Sequence, residues 1–143
     1  MRKMMVGSAA LCAVLCIVLS GCGGKVTEET AIPREDVNRQ NPIASSVSAV
    51  AEGKRLYGAT DCAMCHGIQG DGKGVLAKDT PMKTHNWQDA STLAHFTDGE
   101  LFYIIENGKG RMPGYGKRET PEQVWQMVDY LRSIPSSQPP PKS

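Results

Sequence analysis

The pattern Cys62-Ala63-Met64-Cys65-His66 carries the most specific chemistry in this sequence. Its two cysteines stand three positions apart, so one helical turn brings both thiols to the same side. The adjacent histidine then directs its imidazole toward the same region. The pattern occurs once in a chain of 143 residues, a length that suits one domain.

This pattern is the attachment signature of a c-type haem, in which the thiols of Cys62 and Cys65 bind one edge of the porphyrin and His66 ligates the iron. A thioredoxin-like redox pair would need a βαβ context, which the sequence lacks. A zinc site would need a second ligand pair, and His85 and His95 have neither the spacing nor a further cysteine. A structural disulfide would leave His66 unexplained. We therefore predict one covalently attached haem c.

The composition is consistent with a domain built around a non-protein component. Apolar residues make up 40% of the chain, but 15 of them lie among the first 21 residues, so the remainder has a lean core. Two phenylalanines, two tryptophans and four tyrosines are the large rings available. A domain this small buries a limited share of its surface, so we expect the porphyrin to supply part of the apolar nucleus.

The overall charge is close to neutral, with 16 basic and 15 acidic residues. This balance argues against a nucleic-acid binder, because such proteins neutralise phosphates with an excess of Lys and Arg. We also expect no strong charge asymmetry that would dictate a partner.

The N-terminal residues have the pattern of an export signal. Arg2 and Lys3 precede an 11-residue apolar stretch, Ala9 to Leu19, which is short for a membrane span but normal for a secretory signal. The stretch closes with Leu19-Ser20-Gly21-Cys22, which resembles the bacterial lipobox. The resemblance implies acylation of Cys22 and stable lipid anchoring. An uncleaved membrane anchor is the alternative, and both place the globular part in the bacterial envelope, in the periplasm or on the outer surface.

Four segments are expected along the chain. They are a lipoprotein signal peptide at 1–21, an acylated N-terminus and flexible linker at 22–43, a folded domain at 44–134, and a disordered Pro/Ser tail at 135–143. The linker prediction rests on its charged residues and prolines and on the absence of helical or strand periodicity.

Three helices are predicted within the folded domain. The first follows Ser45 or Ser46, with an inward face made of Val47, Val50, Gly53 and Tyr57. The second begins at the capping-box pattern Thr97-Asp98-Gly99-Glu100 and ends at Asn107-Gly108. The third begins at Thr120-Pro121-Glu122-Gln123 and ends before Pro135, with an inward face made of Val124, Met127, Val128 and Leu131. No useful β-alternation appears, so we predict an all-α domain with glycine-rich loops.

Several short motifs are spread over residues 44–134. They are Gly53-x-x-x-Tyr57, Cys62-x-x-Cys65-His66-Gly67, Gly70-Asp71-Gly72-Lys73-Gly74, Asn86-Trp87-x-Asp89, Thr97-Asp98-Gly99-Glu100-Leu101, Met112-Pro113-x-Tyr115 and Trp125-x-x-Val128-x-Tyr130-Leu131-Arg132. Together they resemble a class I monohaem cytochrome c. The resemblance implies the cytochrome c fold, in which three or more helices wrap around one covalently bound haem. It also implies that the N- and C-terminal helices cross at Gly53.

The residue opposite His66 on the iron decides between electron transfer and ligand chemistry. Met112 lies in a glycine-rich loop beside a proline, where an unbranched thioether is out of place as core filler but suited to reach a metal. The resemblance implies the same assignment, since the Met-Pro loop of the family supplies the axial sulfur. The other candidates are Met127, which is predicted to be core, together with Met82, His85 and His95.

Two further residues are assigned to haem binding. In the family, a proline shortly before the Asn-aromatic pair accepts a hydrogen bond from Nδ1 of the proximal histidine. Here Thr84 occupies the nearer position, and we assign the acceptor to the carbonyl of Pro81. Trp87 either donates its indole N–H to a buried haem propionate or packs in the core.

An iron with His and Met ligands has no open site for substrate, so we expect an electron-transfer protein rather than an enzyme. The expected function is that of a membrane-tethered one-electron carrier in a respiratory chain, with redox proteins or a membrane oxidoreductase complex as partners. The alternative is a fixed subunit of a larger membrane oxidoreductase, such as alternative complex III. A peroxidase or gas-sensing haem protein would need a vacant or labile sixth position.

All five cysteines then have a role without a disulfide. Cys12 and Cys16 leave with the signal peptide, Cys22 carries lipid, and Cys62 and Cys65 carry haem. Because the porphyrin supplies part of the core, we expect the apoprotein to be largely unfolded.

Overall fold

The computed structural model describes residues 31–43, 45–78 and 83–135. The predictions for the signal peptide, Cys22, Pro81, Met82 and most of the C-terminal tail lie outside these ranges. The chain divides into two compact units, Met1–Ala31 and Ile32–Ser143, and every helix and strand given below belongs to the second. Within the described ranges, no helix combines the length and the apolar composition needed to cross a membrane.

The described chain is mostly helical, with one short hairpin. Its elements are α1 Arg34–Val37, α2 Val47–Ala59, α3 Cys62–His66, α4 Val75–Lys78, α5 Ala90–Ala94, α6 Asp98–Asn107, β1 Gly108–Lys109, β2 Met112–Pro113 and α7 Pro121–Ser133. The two strands pair antiparallel, with Gly108 opposite Pro113 and Lys109 opposite Met112. The predicted all-α fold is confirmed.

Helices α2 and α7 cross at Gly53, as predicted. Ser46 caps α2, because its Oγ accepts a backbone N–H of the first turn at 3.1 Å. A Cβ at Gly53 would clash with the carbonyl oxygen of Gln126, so this close approach requires glycine. The rings of Tyr57 and Tyr130 meet edge to face beside the crossing, with their centroids 5.2 Å apart. The crossing joins α2 to the last helix of the folded unit.

Both α6 and α7 begin with the predicted capping boxes. In α6, Oγ1 of Thr97 accepts the N–H of Glu100 at 3.1 Å, and the Glu100 carboxylate accepts the N–H of Thr97 at 2.7 Å. Thr120 and Gln123 form the same reciprocal pair in α7, at 3.3 and 2.8 Å, with Pro121 at the first helical position. Each box satisfies backbone donors that would otherwise lack partners, so local sequence sets both helix starts.

Helix α7 supplies much of the hydrophobic core. Val124 and Val128 are fully buried and Met127 is 2% exposed, which confirms the prediction that Met127 is core. The predicted inward position of Val47 is wrong, because this side chain is 90% exposed. Residues 45–48 are all exposed, so the start of α2 lies outside the packed region.

Residues 33–43, which we term the strap, pack against the domain. This finding corrects the prediction of a flexible linker that reaches residue 43. Helix α1 lies over the first turn of α6, where Oγ1 of Thr97 donates to the carbonyl of Val37 at 2.6 Å. A Cβ at Gly99 would clash with the carbonyl oxygen of Asp36, so α1 can pack this closely on α6 only because residue 99 is a glycine. Asp36 itself is buried.

Further contacts hold the strap along its length. The guanidinium of Arg39 lies 4.9 Å from the ring centroid of Phe102. The side-chain amide of Asn41 donates to Oδ1 of Asp129 on α7 at 2.9 Å, and Ile43 packs against the hydrophobic core. The folded unit therefore begins near residue 33 rather than 44. Local patterning did not reveal this, because a four-residue helix has too few turns to show a hydrophobic periodicity.

Candidate functional site

Helix α3 presents the C-x-x-C-H residues, and unusual backbone conformations lie at both of its ends. Asp61 precedes the helix with φ of 65°, a left-handed conformation that turns the chain sharply after α2. Gly67 follows the helix with φ of 81°, and its N–H donates to the carbonyl of Ala63 at 2.9 Å. The hydroxyl of Tyr57 donates to the carbonyl of Gly67 at 2.8 Å. These contacts hold α3 against α2.

Both cysteines of α3 are free thiols on one short helix. Cys62 packs against the core, with its Sγ 3.2 Å from Oγ1 of Thr60. Burial raises the pKa of the Cys62 thiol, and hydrogen bonds with Thr60 and Tyr115 oppose this rise. Cys65 is partly exposed on the same helix. The two thiols thus lie on one helical turn, with the spacing of a haem-attachment motif.

The imidazole of His66 stacks against the indole of Trp87. The two ring centroids are 5.5 Å apart, with 27° between the ring planes. Nδ1 of His66 is buried without a partner in hydrogen-bonding geometry among the described residues. Burial lowers the pKa of His66, the charge of His85 lowers it further, and the His85 backbone has an opposing effect. The imidazole is therefore neutral at neutral pH, which is the form that binds a metal.

His85 contributes to the site in a way that sequence reasoning missed. Its side chain is exposed, but its ring lies 5.1 Å from that of Trp87 and 5.2 Å from that of Phe96. The backbone of His85 also raises the pKa of the His66 imidazole, against the effect of burial. Pro81, to whose carbonyl we assigned the bond from Nδ1 of His66, lies outside the described residues. The available signal was the position of His85 directly before the Asn-Trp pair.

The rings of His85, Trp87 and Phe96 form an aromatic cluster, and Arg132 of α7 binds the backbone at one end of it. Its Nε donates to Oδ1 of Asp98 at 2.7 Å, and its other nitrogens donate to the carbonyls of Leu93 and Phe96 at 2.8 and 2.6 Å. One guanidinium therefore joins α7 to α5 and to the start of α6. Because the Phe96 backbone is fixed in this way, its ring is positioned against His85.

Met112 lies in the hairpin that follows α6. It stands opposite Lys109 in the strand pairing, and after the hairpin the N–H of Tyr115 donates to the carbonyl of Ile105 at 2.9 Å. The chain thus returns along the end of α6. Met112 is partly buried and packs against the hydrophobic core. Backbone hydrogen bonds on both sides therefore restrain the backbone at Met112.

Tyr115 joins this hairpin to α3. Its ring is 4% exposed, and its hydroxyl interacts with the thiol of Cys62. Burial, followed by the charge of Cys62, raises the pKa of Tyr115 to about 12. The guanidinium of Arg118 lies 4.6 Å from the centre of the Tyr115 ring. The helix that carries Cys62 and the hairpin that carries Met112 consequently pack on one core.

The remaining candidates divide between the core, the surface and the undescribed residues. Met127 is core, as stated above, and His95 is exposed at the end of α5. Met82 lies outside the described residues. Trp87 is 7% exposed, and its contact with a haem propionate stays a prediction.

These donors fit a c-type haem. The two thiols share one helical turn, the imidazole of His66 is neutral, and the thioether of Met112 packs on the same core. An imidazole and a thioether are the axial pair of cytochromes c, and paired thiols on one turn suit covalent attachment. Within the described ranges, no group of three or more His, Cys, Asp and Glu side chains is arranged to hold a metal ion.

Comparison with known proteins supports a c-type cytochrome. A family model described as cytochrome c oxidase, cbb3-type, subunit III matches residues 48–131. The cbb3-type cytochrome c oxidase subunit FixP from Azorhizobium caulinodans is 33% identical over 113 residues, which cover 76% of this chain and 36% of that protein. The chain therefore spans about a third of the length of this relative.

A shorter relative and a solved structure extend the comparison. Cytochrome c6 from Diacronema lutheri is 27% identical over 86 residues, which cover 59% of this chain and 94% of that protein. A chain of the Kuenenia stuttgartiensis reducing HAO-like protein complex matches with a TM-score of 0.59 and 21% identity, over 76% of this chain and 52% of that chain. At this identity, the structural match supports the fold alone.

Proposed function

The chain belongs to the family of cbb3-type cytochrome c oxidase subunit III, and we propose that it is a membrane-tethered one-electron carrier with a single haem c. Cys62 and Cys65 would hold the haem covalently, with His66 and Met112 as axial ligands. The observation that carries this proposal is the short helix α3, which holds Cys62, Cys65 and His66 together and packs on the same hydrophobic core as Met112.

The proposed task of the protein is to hold both ligands in place. When bound, haem c supplies an iron that alternates between the ferrous and ferric states. Trp87 stacks on the imidazole of His66 and restricts its rotation. Hydrogen bonds on both sides of Met112 restrain the hairpin. Because neither side chain has to move, little reorganisation would accompany electron transfer.

Acylation of Cys22 would give the domain a short tether. The strap begins at residue 33, so ten residues, 23–32, lie between the proposed lipid site and the packed chain. Ten residues span at most about 35 Å, whereas a linker that ended at residue 43 would span about 70 Å. The haem domain would therefore work close to the bilayer, on the periplasmic or outer side of a membrane. This distance favours a membrane oxidoreductase as partner.

A redox-titrated visible spectrum of the full-length protein tests the axial ligands. We expect low-spin iron and a sulfur-to-iron band near the red end of the oxidised spectrum. Met112→Ala should remove that band, whereas Met64→Ala should retain it, because Met64 is 41% exposed and outside the hairpin. A band that persists in Met112→Ala would contradict the assignment. Rapid carbon monoxide binding to the reduced protein at neutral pH would instead favour a gas-sensing or peroxidase function.

A fixed subunit of a larger membrane oxidoreductase is the second candidate function. The short tether favours it, and the name of the FixP relative describes an oxidase subunit. Purification in mild detergent separates the two candidates. A stable stoichiometric complex would support the subunit, whereas a free monomeric cytochrome would support the carrier.

A further inference from the structure

The loop that follows α3, residues 67–74, covers the carboxyl end of that helix with backbone hydrogen bonds. The N–H of Gly72 donates to the carbonyl of His66 at 2.8 Å, and the N–H of Gly74 donates to the carbonyl of Cys65 at 3.1 Å. A Cβ at Gly74 would clash with the backbone of α3, so the loop lies as close to the helix as two backbones allow. The 67–74 loop is therefore bound to the helix that carries the haem-attachment motif.

The chain returns along the outer side of this loop at residues 84–87. Oγ1 of Thr84 donates to the carbonyl of Gly72 at 2.5 Å, and the N–H of Trp87 donates to the carbonyl of Gly70 at 2.7 Å. Both bonds are short, and Thr84 is partly buried. The 67–74 loop thus lies between α3 and residues 84–87 and is hydrogen-bonded to both.

Gly72 is the residue at which these two sets of bonds meet. Its N–H binds the carbonyl of His66, while its own carbonyl accepts the hydroxyl of Thr84. Its φ is 74°, and a Cβ here would lie 3.1 Å from the carbonyl oxygens of both Thr84 and His85. Glycine is therefore required by the backbone conformation and by the close approach. A single residue connects the Thr84 hydroxyl to the backbone of His66.

Residues 84–87 form the surroundings of the His66 imidazole. The ring of Trp87 stacks on it at 5.5 Å, and its Nδ1 is buried without a partner in hydrogen-bonding geometry among the described residues. The backbone of His85 raises the pKa of this imidazole, which is the effect of a carbonyl near a ring N–H. His85 lies between the two bonded residues, Thr84 and Trp87, so its carbonyl is held in place only when both bonds are made.

We propose that Thr84 is a positioning residue for His66. Its hydroxyl keeps residues 84–87 against the 67–74 loop, so that the His85 carbonyl faces Nδ1 and the Trp87 ring stays on the imidazole. The inference rests on the proposed function, in which His66 ligates the haem iron. A carbonyl that accepts the Nδ1 proton makes the imidazole a more basic ligand, which favours ferric iron. Loss of the Thr84 hydroxyl should therefore raise the midpoint potential.

Two substitutions of Thr84 in the full-length haem protein test this role. Thr84→Val keeps the size of the side chain and removes the hydroxyl, whereas Thr84→Ser keeps the hydroxyl. We expect Thr84→Val to favour reduction about threefold, which is about 30 mV at about 59 mV per tenfold for one electron. Thr84→Ser should stay close to the wild-type potential. An unchanged potential in Thr84→Val, or an equal shift in both variants, would overturn the inference.

Thr92→Val is the matched control. Thr92 is also partly buried, but it lies in α5 and its hydroxyl interacts with Asp89. The substitution removes a hydroxyl of the same kind without touching the 67–74 loop, so the midpoint potential should hardly change. A shift as large as that of Thr84→Val would show that the potential responds to any lost hydroxyl, and it would overturn the inference.

Solvent exchange of the His66 Nδ1 proton reports on the ligand itself. Proton NMR of the reduced, low-spin protein follows this exchange under native conditions. We expect exchange at least about fivefold faster in Thr84→Val than in the wild type, because residues 84–87 open locally more often. Thr84→Ser and Thr92→Val should exchange like the wild type. A purely structural role for Thr84 would lower the Tm without changing the exchange rate or the potential, and that result would overturn the inference.

The same measurements separate a failure of this inference from a failure of the proposed function. The visible spectrum of the wild type, with its sulfur-to-iron band, tests haem binding and Met112 before any Thr84 variant is made. A normal wild-type spectrum combined with an unchanged potential in Thr84→Val would overturn the role of Thr84 alone. A wild-type protein that binds no haem would overturn the proposed function and this inference together.

Discussion

The side-chain amide of Asn41 donates to Oδ1 of Asp129 at 2.9 Å, and this bond joins the strap to α7 across 88 positions of sequence. The other carboxylate oxygen of Asp129 is buried and has no hydrogen-bond partner among the described residues. Burial raises the pKa of Asp129, and the charge of Asp98 raises it further, while the bond from Asn41 lowers it. The contact therefore holds the strap and favours the ionised carboxyl, whereas burial and the charge of Asp98 disfavour it.

Asp129→Asn is expected to stabilise the haem protein at neutral pH, because the amide keeps an acceptor for Asn41 and removes a buried charge. Folding raises the pKa of Asp129, so stability is lost as pH rises through that pKa. Well below the ordinary value of about 3.9, both states are protonated and the advantage of the variant disappears. Thermal unfolding should show a Tm higher by about 2–4 °C at pH 7 and little gain near pH 3.

Asn41→Ala is the control for the Asp129 prediction. It removes the donor and leaves the carboxyl buried, so it should lower the Tm at neutral pH, where the wild-type carboxylate needs its partner most. A gain for Asp129→Asn of equal size at both pH values would show that the buried charge is not the cause.

Two glycines of α2 should respond oppositely to alanine. Gly53→Ala should destabilise the protein by about 2–3 kcal/mol, because its Cβ would collide with the Gln126 carbonyl. Gly58→Ala should stabilise it by about 0.5–1 kcal/mol, since a Cβ there meets nothing within 4 Å and alanine favours helix. Urea denaturation of both variants measures the difference. Equal effects of the two substitutions would refute the close crossing of α2 and α7.

Gly99→Ala should release the strap, because the added Cβ would clash with the Asp36 carbonyl. We expect backbone amides of residues 36–39 to exchange at least about tenfold faster with deuterium. Amides of α7 should exchange as before, since the capping box and core of that helix are untouched. Unchanged protection of the strap in this variant would show that its docking does not depend on the missing side chain.

Arg132→Met should destabilise the protein by about 2 kcal/mol, because it removes hydrogen bonds to one carboxylate and two backbone carbonyls. Arg55→Met is the matched control, since Arg55 pairs with Glu52 on the exposed surface of α2. Such surface pairs contribute little, so its Tm should hardly change. Calorimetry measures the Tm of both variants. Equal Tm values would contradict the stabilising role of the Arg132 hydrogen bonds.

Local signals in the sequence sufficed for the helices that frame the site. The capping boxes at Thr97 and Thr120 satisfy backbone donors within one turn, so neighbouring residues alone set the helix starts. The apolar period of α7 correctly identified its buried face, including Met127. Periodicity wrongly predicted that Val47 faces inward, because it does not show where a helix extends beyond the surface that it packs against.

The position of His85 directly before the Asn-Trp pair was a signal, but its ring contacts could not be derived from neighbouring residues. Its ring meets Trp87 and Phe96, and the Phe96 backbone is fixed by Arg132 from the far end of the chain. Contacts of this kind depend on how helices pack, which propensity and periodicity do not report. The link between Tyr115 and Cys62 is of the same kind, although both residues lie in motifs that the sequence analysis identified.

The haem-attachment signature and the local elements of this protein can be recognised from its sequence alone. A C-x-x-C-H turn, a methionine in a Met-Pro loop and two capping boxes each act within a few residues, so they can be recognised without a fold. Only the tertiary structure shows the docking of the strap, the aromatic support of His66 and the packing of Cys62 and Tyr115 on one core. These features join residues that are far apart along the chain, and their free energy comes from packing and charge proximity that arise when the helices assemble.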